Sequence, residues 1–156
     1  MPVELALYQP EIAQNTGTLL RLGACFGVPV HIIHPTGFPL NRRSLKRGAL
    51  DYLDHAEMIE HDSFAHFTDW ASGAGRRLVL LTTKATQSAY ETAYADNDLL
   101  LLGRESIGVP PEVAAAVEHK IRIPMQPGLR SINVALAGAL ILGEALRQTH
   151  RFETLQ

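Results

Sequence analysis

Three separate segments of the chain combine glycine, proline and polar side chains in spacings that could do chemistry. The first, "PEIAQNTGTLLRLG", places Asn15, Gly17 and Arg21 within seven residues. Gly17 and Arg21 are four apart and therefore share one face of a helix, for which Asn15 is the predicted N-cap. A helix glycine costs about 1 kcal/mol relative to alanine, so we expect Gly17 to leave open space beside the Arg21 guanidinium. The alternative is an arginine that reaches solvent from an amphipathic helix.

The second segment, "LLLLGRESIGVPP", begins with a continuous apolar run. Gly103 has no Cβ, so a ligand could approach its backbone closely, and Gly108 permits a tight or left-handed turn. The spacing differs from the dinucleotide-binding fingerprint, and Glu105 would repel a pyrophosphate. A plain loop between a strand and a helix is the alternative interpretation.

The third segment, "IPMQPGLRSINVA", opens the most apolar helical stretch of the chain. Pro124 and Pro127 remove two backbone donors and stiffen the loop, and Gly128 allows a sharp reversal before the helix. We predict that Ser131 caps the helix start and that Asn133 bonds a second polar group. The alternative is that Ser131 is only a cap and that Asn133 lies on the helix surface.

A fourth feature is a basic run that could bind a polyanion. Residues 41–48 carry four cations and no acid, namely Arg42, Arg43, Lys46 and Arg47, whereas residues 51–72 carry six acids and no lysine or arginine. The formal net charge of −2 argues against indiscriminate nucleic-acid binding, so a targeted contact is the functional interpretation. A solvated helix face is the alternative.

Alternating apolar runs and helical patterns must position these segments. The patterns predict strands over 3–8, 28–33, 76–83, 98–103 and 120–124, and helices over 15–27, 41–48, 63–71, 111–118 and 131–150. This order is typical of an α/β fold with a mostly parallel sheet between helices. Ligands of such sheets bind beyond the carboxyl ends of the strands. The loops 81–85, 103–110 and 124–131 all follow predicted strands, so we expect one composite site.

Composition limits the other possibilities. With 156 residues, 46% of them hydrophobic and 19% charged, the chain fits a single domain over 1–156 with a real core. The N-terminus lacks the pattern of a signal peptide, and the longest apolar run, 134–143, is about half a membrane span, so we expect a cytoplasmic protein. The single cysteine, Cys25, excludes an internal disulfide. The seven histidines show no ligand spacing, and we expect no metal.

In this order, the segments resemble the SPOUT class of RNA methyltransferases, specifically bacterial members that methylate the 2′-hydroxyl of the tRNA wobble nucleotide. The resemblance spans essentially the whole chain, including "LYQPEIAQNTG", "RGALDY" and "LTTKA". The matching residues are Asn15, Gly17 and Arg21, then Gly103, Glu105 and Gly108, and finally Pro124, Leu129, Ser131 and Asn133. Ala135 departs from the pattern, since relatives often carry a second serine at this position. Without that serine, the chain lacks a hydroxyl that a proton relay could use.

The resemblance implies a fold, a cofactor and partners. It implies a sheet whose C-terminal segment passes through a loop in a deep trefoil knot, which pattern alone could not have indicated. It also implies S-adenosylmethionine as methyl donor, with S-adenosylhomocysteine as product, and a homodimer that binds the anticodon stem-loop of tRNA. The loop 124–130 would then wrap the adenosine, and the apolar helix after it would be buried in the knot and the dimer interface.

The resemblance also implies roles for single residues. The expected cofactor pocket comprises Leu81, Thr82, Gly103, Glu105, Gly108, Ile123, Met125, Leu129 and Ser131. The expected methyl-transfer site comprises Asn15, Arg21, Ser131 and Asn133, and the basic run would contact RNA phosphates. The family proposal makes Arg21 the base that deprotonates the 2′-hydroxyl. Because arginine is effectively always protonated, Arg21 could instead bind a phosphate and stabilise the developing alkoxide.

Other functions remain open on the sequence alone. One is a non-catalytic RNA-binding module of the same fold, and another is 2′-O-methylation at a different position of tRNA or at a position of rRNA. A nicotinamide-dependent oxidoreductase would share the α/β pattern, but the segment after the first predicted strand, "LYQPEIAQNTG", has proline and acid instead of the glycine fingerprint.

Overall fold

The computed structural model describes residues 2–156 and has a six-stranded, all-parallel sheet at its centre. The strands are β1 (Glu4–Tyr8), β2 (Val30–Ile33), β3 (Met58–His61), β4 (Arg77–Leu81), β5 (Asp98–Leu102) and β6 (His119–Ile121). Their order across the sheet is β3-β2-β1-β5-β4-β6. β1 and β5 are buried along their whole length, as expected for strands covered on both faces.

Helices cover both faces of the sheet. They are α1 (Ala13–Phe26), α2 (Arg42–Ala49), α3 (Phe64–Gly73), α4 (Pro111–Ala116) and α5 (Val134–Gln148), with 3₁₀ segments at Leu50–His55 and Arg151–Thr154. α1, α2 and α5 pack on the face that includes Leu5 and Leu100. α3 and α4 pack on the opposite face with Ala6 and Leu99. Adjacent residues of one strand thus belong to different cores, because successive side chains of a strand point to opposite faces of the sheet.

One strand was not expected from the sequence. β3 lies at the edge of the sheet, pairs only with β2, and exposes Met58 and Glu60. Its sequence, "MIEH", lies in the acidic stretch that follows the basic run and has no continuous apolar character. The five predicted strands and the five predicted helices are all present, with ends that differ from the predicted ones by a few residues.

Two predicted helix caps are wrong. α1 begins at Ala13, with Ile12 in the N-cap position and no side-chain cap, so Asn15 lies inside the first turn. α5 begins at Val134, and Asn133 rather than Ser131 caps it. The N-cap of α1 lies three residues before the predicted Asn15, and that of α5 lies two residues after the predicted Ser131. The backbone conformation of the cap residue decides which side chain reaches the free N–H groups.

Within the described residues 2–156 no helix is long and apolar enough to cross a membrane. The same residues contain no group of three or more His, Cys, Asp or Glu side chains that could hold a metal ion.

Candidate functional site

The carboxyl ends of four strands meet at one edge of the sheet. In the ladder Leu7 pairs with Leu102, Leu102 with Leu81, and Leu81 with Ile121. The loops that follow β1, β5, β4 and β6 therefore leave the sheet side by side. This confirms the expected convergence of the strand-end loops at one edge.

A small cleft at this edge brings the three motif segments together. It is lined by Asn15 and Thr16 from the first segment, Gly103 and Glu105 from the second and Val134 from the third, together with Leu7, Pro10 and Leu19. The segments are far apart in the chain, and parallel strand order brings them to the same place.

Asn133 links the first and last helices across this cleft. Its Oδ1 accepts hydrogen bonds from the N–H groups of Ala135 (2.8 Å) and Leu136 (3.2 Å), so it caps α5. Its Nδ2 donates to Oδ1 of Asn15 at 3.2 Å. The prediction that Asn133 bonds a second polar group is confirmed, and that group is the asparagine of the first motif.

The second segment closes on itself rather than leaving room at Gly103. Arg104 and Gly108 exchange backbone hydrogen bonds of 3.1 and 3.0 Å, and Arg104 Nε donates to the same Gly108 oxygen at 2.9 Å. A Cβ at Gly103 would lie 2.7 Å from the Cα of Gly108. Gly103 is therefore needed for the packing of its own loop. Gly108 has φ +69°, which confirms the predicted left-handed turn.

Two glutamates join the loops after β1 and β5. The Glu105 carboxylate accepts from the N–H of Glu11 at 3.2 and 3.1 Å. The Glu11 carboxylate in turn accepts from N (3.0 Å) and Oγ (2.7 Å) of Ser106. Burial raises the pKa of Glu105, whereas the hydrogen bonds from Ser106, the backbone one first, lower the pKa of Glu11. Sequence reasoning missed Glu11, because its partner lies more than 90 residues away and no local pattern indicates it.

Gly17 does not leave open space beside Arg21, so that expectation is wrong. A Cβ at Gly17 would lie 2.5 Å from the carbonyl oxygen of Leu45 and 2.8 Å from the nitrogen of Ala49. On the other helix, a Cβ at Gly48 would lie 2.7 Å from the nitrogen of Thr18. The two glycines let α1 and α2 cross with their backbones almost in contact. The space that a side chain would occupy at each glycine is taken by the backbone of the other helix.

Arg21 is half-buried on α1, one turn beyond this crossing. Its guanidinium carbon lies 4.6 Å from the centre of the Tyr52 ring, within the range of a cation–π contact. Among residues 2–156 Arg21 makes no side-chain hydrogen bond and no ion pair. Its N–H donors are therefore available to a ligand.

The loop after β6 presents backbone donors and apolar side chains. In the described chain, the only backbone hydrogen bond donated by an N–H of residues 123–132 runs from Leu129 to Gln126, at 3.4 Å. Leu129 is 68% exposed, and Ile107, in the loop after β5, is 71% exposed. Leu81, at the end of β4, and Ile123 are partly buried and pack against the core. Such a surface, with free N–H groups between apolar side chains, suits a flat heterocycle.

The structure places the other predicted pocket residues in the segments that follow β4 and β6. Thr82 follows β4, and its N–H donates to the Ile121 oxygen at 2.9 Å. Met125 is half-buried, and Ser131 is exposed just before α5.

The basic run forms the exposed face of α2. Asn41 caps the helix in a reciprocal capping box with Ser44. The four cations of this face, Arg42, Arg43, Lys46 and Arg47, are all exposed. Arg42 pairs with Asp54 at 2.8 Å, but both side chains are about two-thirds or more in solvent, where such a pair contributes little.

Comparison with known proteins gives consistent matches over nearly the whole chain. The SpoU rRNA Methylase family matches residues 2–143. A tRNA (cytidine(34)-2′-O)-methyltransferase of Ancylobacter novellus is 51% identical over 152 residues, which are 97% of this chain and 96% of that protein.

Solved structures share the fold. One described as "structural insights into the 2-OH methylation of C/U34 on tRNA" superposes with a TM-score of 0.88 at 42% identity, over 94% of this chain and 95% of that one. An AdoMet-bound rRNA methyltransferase from Sinorhizobium meliloti has a TM-score of 0.84 at 24% identity, over 94% of this chain and 56% of that one, and shares the fold.

Proposed function

Because the chain belongs to the SpoU rRNA methylase family, we propose that it transfers a methyl group from S-adenosylmethionine to the ribose 2′-hydroxyl of nucleotide 34 of tRNA. The observation that carries this proposal is the cleft in which Asn15, Glu105 and Val134, from the three motif segments, meet. The relative from Ancylobacter novellus carries the same activity in its name and aligns over almost the entire chain.

The loops at the carboxyl edge fit the cofactor. When bound, S-adenosylmethionine would supply a sulfonium methyl group, which a nucleophilic oxygen can take as the carbon–sulfur bond breaks and S-adenosylhomocysteine leaves. The free N–H groups of 123–132 would hold the adenine, and apolar contacts would come from Leu81, Ile123, Met125 and Leu129. Thr82 follows β4, and its N–H donates to the oxygen of Ile121, two residues before Ile123. Glu105, Gly103 and Gly108 shape the pocket by fixing the loop 103–108 against the loop after β1.

The methyl-transfer site lies where α1 and α5 begin. Asn15 and Asn133 hold each other across the cleft, and Ser131 stands exposed next to them. Arg21 remains a cation and therefore does not take the proton. It donates to a phosphate or to the 2′-oxygen, which becomes negative as its proton passes to solvent. Positioning of the oxygen in line with the methyl group supplies much of the acceleration.

The proposal includes a homodimer that grips the anticodon stem-loop in the cytoplasm. Leu136 and Leu140 on α5 are 61% and 45% exposed, an apolar surface that a second copy would cover. Two copies of the α2 basic face would then let an acidic chain bind an anionic RNA.

The proposal also includes the trefoil knot. The segment 82–97 lies against the chain that leaves β6: Arg122 N–H donates to Gln87 (2.9 Å), and Ala89 N–H donates to Arg122 (2.7 Å). The chain then returns from this edge of the sheet to α5, where Gly138 packs against Leu102 of β5. A C-terminal segment that passes under 82–97 agrees with both contacts.

Nucleoside mapping tests the proposed function. Mass spectrometry of tRNA from strains with and without this gene should show 2′-O-methylation of nucleotide 34 lost in the deletion strain. If the deletion strain instead loses methylation at another tRNA or rRNA position, that position is the substrate. Unchanged methylation, together with no cofactor binding by calorimetry, would indicate a non-catalytic RNA-binding module.

Variants of Arg21 test the mechanism. Arg21→Ala should lower turnover by at least about a hundredfold, since a transition-state donor is removed, while calorimetry shows nearly unchanged cofactor affinity. Wild-type turnover in this variant would contradict both roles considered for Arg21.

A further inference from the structure

The segment that follows the basic helix reaches the arginine of the candidate site. After Ala49 the chain turns at Leu50, which has φ +54°, and runs as the 3₁₀ segment Leu50–His55 against α1. Tyr52 lies in the middle of this segment, half-buried, with its ring 4.6 Å from the Arg21 guanidinium carbon. Leu50 and Tyr52 belong to the motif "RGALDY", and the proposed function gives Tyr52 no role.

The contact restrains Arg21 in an unusual way. Arginines in folded proteins are commonly held by carboxylates, which accept the N–H groups two at a time. Arg77 of this chain is held so, by Nε and Nη2 on the two oxygens of Asp98 at 2.5 and 2.8 Å. Arg21 has no such partner among residues 2–156. An aromatic ring holds a cation by its face, and the N–H groups in the guanidinium plane remain free.

We propose that Tyr52 is a positioning residue for methyl transfer: its ring holds the Arg21 guanidinium in place while leaving the N–H donors free for RNA. This role rests on the proposed function. A carboxylate at the same place would neutralise the cation and occupy its donors, so the phosphate or developing alkoxide of the substrate would have to compete with it. A ring stabilises the side chain without that competition.

The α1–α2 crossing fixes the geometry. Gly17 and Gly48 bring the backbones together one turn before Arg21 and a few residues before Tyr52, so the ring and the guanidinium are carried by elements that cannot shift separately. Asp54, in the same 3₁₀ segment, holds Arg42 of the basic face at 2.8 Å. The segment therefore contacts both the candidate catalytic arginine and the candidate RNA-binding helix.

A pair of variants separates the ring from the hydroxyl. Tyr52→Phe keeps the ring and should keep kcat within about twofold of the wild type. Tyr52→Leu keeps bulk but loses the ring face, and its kcat for tRNA methylation should fall about tenfold, the magnitude of a partly desolvated cation–π contact. Cofactor affinity and the KM for the cofactor should not change in either variant. Equal kcat in Tyr52→Leu and the wild type, or equal losses in the two variants, would overturn the proposal.

Two further measurements distinguish this role from a structural one. A double-mutant cycle on tRNA affinity should show that Tyr52→Leu has no further effect once Arg21→Ala is present, and additive losses would overturn the proposal. The NMR signals of the Arg21 side chain should move downfield in Tyr52→Leu, because the ring current is lost. If they do not move, the contact itself is refuted. A wild-type chain that methylates no tRNA would instead refute the proposed function, even if the NMR signals move as expected.

Discussion

The side-chain amide of Asn133 bonds that of Asn15 at 3.2 Å, across 118 residues of chain. The same Asn133 caps α5, so one side chain both begins the last helix and ties it to the first turn of α1. Capping and cross-linking are different functions of one residue, and substitutions can separate them.

Asn133→Ala removes both interactions and Asn133→Ser keeps a capping oxygen. We expect Asn133→Ala to lower the free energy of unfolding by about 1 kcal/mol, the usual value of a helix cap, and Asn133→Ser to lower it by much less. Both variants should slow methyl transfer, because neither holds Asn15. Urea unfolding and single-turnover assays measure the two effects.

Ser63→Ala is the matched control. Ser63 caps α3 by accepting from His66 N–H at 3.1 Å, and α3 packs on the opposite face of the sheet. This variant should lose a similar stability and no activity. A loss of activity in Ser63→Ala as well would mean that the assay reports stability alone.

The close crossing of α1 and α2 predicts that glycine-to-alanine substitutions change the free energy of unfolding by different amounts at different positions. Gly17→Ala and Gly48→Ala each force a Cβ against backbone atoms of the other helix, so we expect each to lower the free energy of unfolding by about 1–3 kcal/mol. At Gly73, in α3, nothing lies within 4 Å of the added Cβ, and φ is ordinary. Gly73→Ala should therefore be neutral or stabilising by up to about 1 kcal/mol. Equal effects at the three positions would contradict the close crossing.

This crossing also shows where sequence reasoning reaches its limit. Gly17 stands out in the sequence because a helix glycine needs a reason, but a glycine beside a ligand and a glycine beside another helix have the same local pattern. Arg21 and Tyr52 are 31 positions apart, and their contact depends on how α2 turns into the next segment. Local spacing carries no such information.

The sheet was predictable to the extent that burial leaves a pattern. β1 and β5 are covered on both faces and therefore appear as continuous apolar runs. The predicted parallel sheet placed the loops 81–85, 103–110 and 124–131 at one edge. β3 is an edge strand with exposed Met58 and Glu60, so it left no such run. Ser131 was predicted as the cap of α5, but Asn133, two residues later, is the cap. Serine and asparagine are both good cap residues, so residue type alone could not distinguish them, and the backbone conformation decides.

The exposed face of α2 predicts a change in salt dependence. Replacing Arg42, Arg43, Lys46 and Arg47 by alanine should weaken tRNA binding and flatten the slope of log affinity against log salt, by about 0.7–0.9 for each phosphate that the variant no longer neutralises. The Asn41 cap and the buried Leu45 remain, so α2 should stay folded. Filter binding between about 50 and 200 mM salt measures the slope. Arg147→Ala, on an exposed arginine paired with Glu144, is the control, and an unchanged slope in the quadruple variant would exclude α2 from the interface.

A buried polar chain predicts how stability depends on pH. His31 Nε2 lies 2.5 Å from Glu4, its Nδ1 lies 2.9 Å from His61 Nε2, and Arg76 binds the other Glu4 oxygen. His61 is 8% exposed and packs edge-on against Phe67. Burial, followed by the nearby charges of His31 and His66, holds the pKa of His61 below its ordinary value of 6.5.

The direction of the pH effect follows from proton binding. Since the folded chain binds a proton at His61 less well than the unfolded chain, the unfolded state takes up more protons as the pH falls below about 6.5. The free energy of unfolding should therefore be highest above that pH and fall between it and the lower pKa of the folded state. His61→Gln can still donate to His31 but does not titrate, so its unfolding free energy should vary less with pH in this window. Chemical denaturation at pH 5, 6, 7 and 8 decides the matter: a wild-type slope in His61→Gln would mean that another group is the one that protonates on unfolding.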